Sequence, residues 1–200
     1  MTRRYDRENG KKIHQEDLAQ GFNITASDKY SKSYEEALRL VSKMSGGKLS
    51  VVRDLFNRIV FSYLIGNDDM HLKNISLIRK EDNRTFYYDG LTPNYDQLFA
   101  SSFDISSVIG FLALDLLEEE KHAEYTECYQ KYGFYTAYDF TLLGKRAGLP
   151  QAAVQSVFKH YFSIEKEMQT MIERSFMPDI MKKRAVVILL DRFKALKIRA

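Results

Sequence analysis

The sequence contains no tryptophan, three prolines and a single cysteine among its 200 residues. Because Cys128 stands alone, no disulfide bond can form within the chain, and a zinc site built from paired thiolates is excluded. The four histidines also lack the spacing of a helical metal-ligand pair; they are His14, His71, His122 and His160. We therefore expect no zinc site, and a single cysteine is consistent with a reducing, cytoplasmic location.

Long hydrophobic runs are also missing. The longest tight run near the end, 185–190, is far shorter than the roughly 18 apolar residues that a membrane-spanning helix requires. Residues 1–7 are polar and lack the apolar centre of a signal peptide. No Gly-x-Ser-x-Gly sequence is present, which argues against a hydrolase of the nucleophile-elbow type. We expect neither membrane insertion nor that hydrolase chemistry.

The charges of the two signs are nearly balanced. Thirty Lys and Arg residues oppose 27 Asp and Glu residues, so the formal net charge is +3 and the pI is about 8.8. So small an excess does not predict direct nucleic-acid binding, and we expect none. Hydrophobic residues make up 44% of the chain, which suits one globular domain. We expect 1–13 to be a polar hinge or linker segment and 14–200 to be a helical domain.

Hydrophobic periodicity predicts a mainly helical fold. The clearest pattern runs from Ser50 to Gly66, where apolar residues recur at every third or fourth position. The apolar positions are Val51, Val52, Leu55, Phe56, Ile59, Val60, Tyr63 and Leu64. So wide an apolar arc predicts a central helix, and the loop that follows it should be held rigidly.

Capping signals and breaks predict the other helices. Ser33 and Glu36 form a capping-box pattern before a helix near 34–45, and 14–20 suggests a short helical turn. Further helical spans are predicted at 116–131, 136–147, 150–174 and 178–198. Two runs rich in β-formers, 75–78 and 85–88, predict a short β-hairpin around a charged turn.

The loop after the central helix contains the residue types that phosphoryl transfer requires. Asp69 and Asn74 lie five positions apart, Lys73 lies between them, and Asp96 follows the predicted hairpin. Protein kinases place a catalytic Asp and a metal-binding Asn at this spacing, and a second metal-binding Asp after a hairpin. The spacing alone is weak, since Asp and Asn also cap helices and form turns, but its place between a buried helix and a hairpin favours a metal-nucleotide site.

A resemblance to a known family rests on four stretches, namely Gly66-Asn67-x-Asp69-x-His71-x-Lys73-Asn74-x-Ser76, Leu91-Thr92-Pro93-x-Tyr95-Asp96, Arg4-Tyr5-Asp6-Arg7 and His14-Gln15-Glu16-Asp17-Leu18-Ala19-Gln20. The first two resemble the catalytic region of HipA-type Ser/Thr kinases, the toxins of bacterial toxin–antitoxin modules. The last two resemble that family's hinge and the segment after it. The resemblance covers the chain from about residue 3 onward and is specific between 66 and 96.

The resemblance implies a role for each residue of the two loops. It makes Asp69 the catalytic base, and it places Lys73 near the transferred phosphoryl group. It makes Asn74 and Asp96 the ligands of Mg2+, and it places His71 near the phosphates of ATP.

The same resemblance implies the nucleotide-binding residues at the hinge. Tyr5 would lie beside the adenine of ATP, and Tyr95 would line the nucleotide site. Asp6 and Gln15 would lie close to the hinge. Asp68 occupies a variable position of the pattern, and we interpret it as a loop or capping acid.

The fold and function implied by the resemblance are those of a protein-kinase-like C-lobe, a helical bundle with a small β-hairpin at the active site. Such a lobe would transfer the γ-phosphoryl group of ATP to a protein hydroxyl, with an aminoacyl-tRNA synthetase as the target class. A helix-turn-helix antitoxin would be its partner. The alternative is an inactive module of a toxin–antitoxin system that binds a partner without turnover.

The sequence departs from the family pattern at its N-terminal side. No Gly-rich phosphate loop precedes residue 66, since Gly46 and Gly47 are an isolated pair, and Arg3 stands where the family favours an acid. The N-lobe that supplies this loop and a phosphate-binding lysine is therefore expected from a separate polypeptide, or from a part outside this sequence. We expect the chain alone to be weakly active or inactive.

Overall fold

The protein is described by a computed structural model that covers residues 4–8, 10–103 and 111–198. Its α-helices are α1 (Leu18–Gly21), α2 (Tyr34–Met44), α3 (Leu49–Ile65), α4 (Ala100–Phe103), α5 (Glu127–Tyr132), α6 (Ala137–Arg146), α7 (Gln151–Arg174) and α8 (Asp179–Lys197). Its strands are β1 (Arg7–Glu8), β2 (Lys11–Lys12), β3 (His14–Asp17), β4 (Ser76–Arg79) and β5 (Gly90–Leu91). Short 3-10 turns lie at Ala26–Asp28, Leu72–Asn74 and Glu118–His122. The fold is mainly α, as predicted.

Helix α3 lies at the centre of the bundle. It packs against α2, α7 and α8, and its apolar residues are buried around much of its circumference. The fully buried ones include Leu55, Phe56, Ile59, Val60 and Tyr63. Burial of each such side chain contributes about 1.5–3 kcal/mol. The predicted central helix is confirmed, and its packing anchors the loop that follows.

The ends of α2 and α6 are fixed by local capping boxes. The Ser33 hydroxyl accepts from the Glu36 N–H, and the Glu36 carboxylate accepts from the Ser33 N–H in return. Thr136 and Asp139 form the same reciprocal arrangement at α6. These two helix starts are therefore set by residues three positions apart, which is why the sequence predicts them.

The small sheet has the order β3-β4-β5 and is antiparallel throughout. Strand β4 follows the candidate catalytic loop directly, and in the register of β3 against β4 Asp17 lies opposite Ser76. The sheet therefore joins the N-terminal segment to the end of that loop. Strands β1 and β2 form a separate two-stranded ribbon.

The predicted hairpin is present, but one of its strands was wrongly placed. Strand β4 pairs with Gly90–Leu91, whereas 85–88 contains no strand. Asn83 organises this segment, since its Nδ2 donates to the Tyr87 carbonyl and its Oδ1 accepts from the Thr85 N–H. The side chain of Phe86 is 95% exposed, so the β-forming composition of this run does not reflect a buried strand.

Two helical predictions are also corrected. Residues 14–17 form β3 rather than a helical turn, because β4 supplies their backbone partners; Asp17 then caps α1 with Gln20. The span predicted as one helix at 116–131 is broken. Ala123 has a φ of 59° and ends the 3-10 turn, and Thr126 caps a new helix, α5.

Within the described ranges, every helix is too short or too polar to cross a lipid bilayer.

Candidate active site

The loop between α3 and β4 begins at a position that only glycine fits, because there is no room for a Cβ atom. Gly66 has a φ of 64° and caps the C-terminus of α3. A Cβ built at this position would lie 2.9 Å from Cγ2 of Ile188 on α8 and 3.3 Å from the side chain of Ser101. Backbone conformation and close packing therefore both require glycine here. The start of the loop is held against α4 and α8.

Asn67 connects the two acidic loops. Its side chain is fully buried; Oδ1 accepts from the Asp69 N–H at 3.1 Å, and Nδ2 donates to the Asp96 carbonyl at 3.3 Å. Nδ2 also lies 3.4 Å from Oε1 of Gln97, which accepts from the Ser62 hydroxyl on α3 at 3.0 Å. One amide group thus fixes the backbone at both candidate acids. We did not assign Asn67 a role from the sequence, although it lies within the motif.

Asp69 is exposed at the turn of the loop, and Tyr30 contacts its carboxylate. The Tyr30 hydroxyl donates to Oδ1 of Asp69 at 2.6 Å. Burial, followed by this hydrogen bond, raises the pKa of Tyr30 to about 12, so the phenol stays a donor at neutral pH. Tyr30 lies 39 residues upstream. No local signal in the sequence connects it with Asp69, and sequence analysis missed it.

His71 is buried behind Asp69. Its Nε2 lies 3.9 Å from Oδ1 of Asp69, and its ring packs edge-on against Tyr30 with centroids 5.1 Å apart. Burial, with the nearby charge of Lys29, lowers the pKa of His71, so the imidazole is neutral at physiological pH. Its Nδ1 is buried and has no hydrogen-bond partner among the described residues. Contact of His71 with the phosphates stays a prediction.

Asn74 closes the loop on itself. Its Nδ2 donates to the backbone carbonyl of Asp69 at 2.9 Å, and its backbone N–H donates to the His71 carbonyl. The amide nitrogen of Asn74 is thus hydrogen-bonded, and its Oδ1 is left as an oxygen ligand for a cation. Lys73 is exposed, and no acid among the described residues forms an ion pair with it. The structure therefore presents one amide oxygen and one cation at the same turn.

The second acidic turn is tied to the end of the first loop. The Tyr95 hydroxyl is 2.8 Å from that of Ser76 and donates to the Lys73 carbonyl at 3.2 Å. Asp96 has a φ of 55°, and its exposed carboxylate has no hydrogen-bond donor among the described residues. The structure thus brings the two predicted loops together.

Tyr5 lies at the edge of this region. Its ring is nearly parallel to that of Tyr95, with an angle of 14° and a centroid distance of 6.5 Å. Asp6 accepts from Arg4 through both carboxylate oxygens, and these ion pairs hold the pKa of Asp6 at about 2. The N-terminal segment therefore reaches the same side of the molecule as the two loops.

A metal ion at this candidate site would need oxygen ligands of mixed type. No group of three or more His, Cys, Asp or Glu side chains converges as a metal site in the part of the chain that the structure describes. An amide oxygen from Asn74 and a carboxylate from Asp96 are, however, ligands that Mg2+ accepts when phosphates and water complete its octahedron. The donor set therefore fits magnesium bound together with a nucleotide.

These features, a helical lobe with a central helix, a loop with Asp and Asn and a hairpin followed by a second Asp, define a protein-kinase-like C-lobe. The chain belongs to the HipA-like C-terminal domain family, whose model matches residues 1–170.

Two named relatives agree with this family assignment. A Haemophilus influenzae protein named "Putative kinase" is 31% identical over 188 residues, which are 88% of this chain and 53% of that protein. "Putative kinase Y4dM" of Sinorhizobium fredii is 42% identical over 98 residues, which are 48% of this chain and 22% of that protein. The chain spans about half the length of the first of these relatives.

A solved structure shows the same fold. The complex of HipA and HipB from Shewanella oneidensis MR-1 with its operator DNA matches with a TM-score of 0.70 and 20% identity. The match covers 97% of this chain and 47% of the matched one. At this identity the match establishes the fold alone.

Proposed function

We propose that this chain is the catalytic lobe of a HipA-like Ser/Thr protein kinase. Together with an N-lobe, it would transfer the γ-phosphoryl group of ATP to a protein hydroxyl. The observation that supports this proposal most directly is the buried side chain of Asn67. Its single amide group forms hydrogen bonds with the backbone at Asp69 and at Asp96. A loop braced in this way supports catalysis because it holds two acids in fixed positions before substrate binds.

Asp69 is the proposed catalytic base. Its exposed carboxylate would accept a hydrogen bond from the substrate hydroxyl, orient it and take its proton as the new bond forms. Tyr30 already donates to Oδ1 of Asp69 at 2.6 Å, which orients the carboxylate and leaves Oδ2 for the substrate. Lys73 would balance the negative charge of the phosphoryl group, since no described acid pairs with it.

Asn74 and Asp96 are the proposed ligands of Mg2+, through Oδ1 of Asn74 and the carboxylate of Asp96. When bound, magnesium-ATP supplies the phosphoryl group and the cation that offsets its charge. Tyr5 and Tyr95 would line the base-binding side, because their parallel rings lie at the edge of the two loops. His71 would keep the loop in shape as a neutral ring close to the phosphates.

The proposed partner of the lobe is a helix-turn-helix antitoxin. This rests on the Shewanella oneidensis structure, in which HipA is in complex with HipB and operator DNA. An aminoacyl-tRNA synthetase is the proposed class of protein substrate, by family resemblance alone. A cytoplasmic location stays a prediction from the single cysteine.

A phosphotransfer assay with radiolabelled ATP tests the proposal, on the chain joined to or mixed with its N-lobe. Asp69→Asn keeps the size of the side chain and its contact with Tyr30 but removes the base, so we expect the rate to fall at least roughly 100-fold. Asp82→Asn is the matched control. It changes an exposed acid on the connection between β4 and β5, and the rate should stay at the wild-type value.

The proposal fails if the reconstituted kinase transfers phosphate equally fast with Asp69→Asn. It also fails if the wild-type pair binds an antitoxin tightly but shows no transfer in the presence of Mg2+ and ATP. That second outcome would establish the alternative, a module that binds a partner without turnover.

A further inference from the structure

A cavity of about 570 Å³ lies along α8. Its walls are mainly apolar and come from α3, from α8 and from two phenylalanines; they include Tyr63, Phe111, Phe134, Val187, Ile188 and Ile198. None of the residues proposed for phosphoryl transfer lines it. A half-open cavity of this size is typical of a site for a small molecule.

One of the two cations that line this cavity, Arg192, has no counter-ion among the described residues. Arg192 is only 8% exposed, and its guanidinium carbon lies 4.7 Å from the ring centre of Tyr63 and 4.4 Å from that of Phe111. No carboxylate of the described residues comes within ion-pair distance of Arg192. The rim acid, Asp191, is instead paired with Lys194 at 3.0 Å.

This arrangement leaves a charge that a ligand can satisfy. The two ring faces stabilise the guanidinium as a cation–π pair, but a buried charge without an anion carries a desolvation cost. A carboxylate matches the planar fork of arginine in two parallel hydrogen bonds. The apolar walls match a hydrocarbon or aryl body, which gains about 25 cal/mol per Å² buried.

We propose that this cavity binds a small amphipathic carboxylate, with its apolar body along Val187, Ile188 and Ile198 and its carboxylate on Arg192. The volume suits a free molecule with an aryl or alkyl chain, and we therefore commit to a small-molecule ligand. This inference is independent of the proposed kinase activity.

The cavity also lies next to the candidate active site. Ile188 lines the cavity and approaches Gly66 so closely that a Cβ there would be 2.9 Å from its Cγ2. A bound ligand would therefore contact the helix that backs the start of the catalytic loop.

Binding of phenylbutyrate and of phenylbutanol to the complete chain tests the proposal. The two probes share the apolar body and differ in the carboxylate. Affinities are measured by titration, and the site is located by NMR shifts of the Val187 and Ile188 methyl groups. We expect the carboxylate to bind at least about tenfold more tightly than the alcohol, and to move those methyl signals.

Three variants test which residues of the cavity contribute to the binding of the probes. Arg192→Met should abolish the preference for the carboxylate over the alcohol. Because that substitution also removes the cation–π contact with the buried Tyr63, a second variant is tested, Val187→Trp. It fills the cavity from the exposed side of α8 and should abolish binding of both probes. Ile180→Trp is the control, since Ile180 is exposed on the same helix but does not line the cavity.

The proposal is overturned by any of three results. These are equal affinity for the two probes, carboxylate binding that survives Val187→Trp, and no detectable binding of phenylbutyrate to the wild-type chain. Loss of binding in Ile180→Trp would also count against it, because the effect would not be specific to the cavity.

Discussion

At the scale of single residues, a few buried polar groups hold the two candidate loops together. Asn67 uses both ends of its amide, and the buried Arg58 donates to the Thr92 carbonyl at 2.7 Å. Asn67 is fully buried and Arg58 is only 8% exposed, so each bond lost in a variant would leave a buried partner unsatisfied. The geometry of the site therefore depends on side chains that would not contact the substrate.

Asn67→Ala should destabilise the protein and disorder both loops. The substitution removes the acceptor for the Asp69 N–H and the donor to the Asp96 carbonyl, so we expect a loss of about 1–3 kcal/mol in the free energy of unfolding. Urea denaturation measures it. Asn94→Ala, an exposed position in the second loop, should change stability by less than about 0.5 kcal/mol. Equal effects of the two substitutions would refute the bracing role of Asn67.

At the scale of elements, the C-terminus of α3 is where packing and active-site geometry meet. Gly66 ends the helix in the left-handed conformation, and its neighbours on α4 and α8 leave no room for a side chain. The position of the candidate catalytic loop is thus fixed by helix packing rather than by its own sequence alone.

Gly66→Ala should therefore cost more than an ordinary left-handed glycine. Gly133 is the matched comparison: it caps α5 with a φ of 74°, and a Cβ there would meet nothing within 4 Å. Gly133→Ala should cost about 1–2 kcal/mol for the backbone alone. Gly66→Ala adds a steric overlap with Ile188 of about 1–3 kcal/mol.

Thermal and urea unfolding of both variants measure the difference. The double variant Gly66→Ala with Ile188→Ala should recover part of the loss, because the overlapping Cγ2 is then gone. If the two glycine variants lose equal stability, or if Ile188→Ala restores nothing, the close approach of α8 has no energetic role.

The elements that the sequence predicts well are those specified locally. The capping box of Ser33 and Glu36 spans four residues, and the α3 periodicity continues over four turns, so both are visible in one short window. The pairing of β3 with β4 joins residues about sixty positions apart, and the polar run His14–Asp17 has no alternation to reveal it. Strand β3 was mispredicted for this reason, whereas the second strand of the hairpin was misplaced because the β-forming residues of 85–88 are exposed and lie outside any strand.

The residues of the candidate site likewise differ in whether a local sequence pattern predicts them. We predicted Asp69, Asn74 and Asp96 as site residues because their spacing reflects one loop and one hairpin, and the structure joins these two loops through Asn67. Tyr30 was missed because its bond to Asp69 depends on how two distant loops pack. Tertiary contacts of this kind leave no pattern in a single sequence.

At the scale of the whole molecule, charged groups join segments that are distant in sequence. Glu35 on α2 accepts from Arg146 on α6 at 3.0 Å and from the Glu118 N–H at 3.2 Å. A second buried acid, Glu120, accepts from the Leu116 N–H at 2.9 Å and from the Tyr135 hydroxyl at 2.5 Å. Its protonation state therefore bears on the stability of the entire lobe.

Burial raises the pKa of Glu120 to about 7, above the ordinary 4.5 of a glutamate. The folded state thus holds a proton that the unfolded state releases, so this group stabilises the fold below pH 4.5 and its contribution is lost as pH rises towards 7. Between about pH 5 and pH 8 we expect the wild-type free energy of unfolding to lose about 2 kcal/mol more than that of Glu120→Gln. Gln keeps the hydrogen-bonding shape but does not titrate. Urea denaturation at the two pH values measures both slopes.

The neutral His71 and the other groups are common to both proteins, and Glu124→Gln, at an exposed site, should retain the wild-type slope. Identical slopes for the wild type and Glu120→Gln would show that Glu120 is already ionised in the folded protein at pH 5.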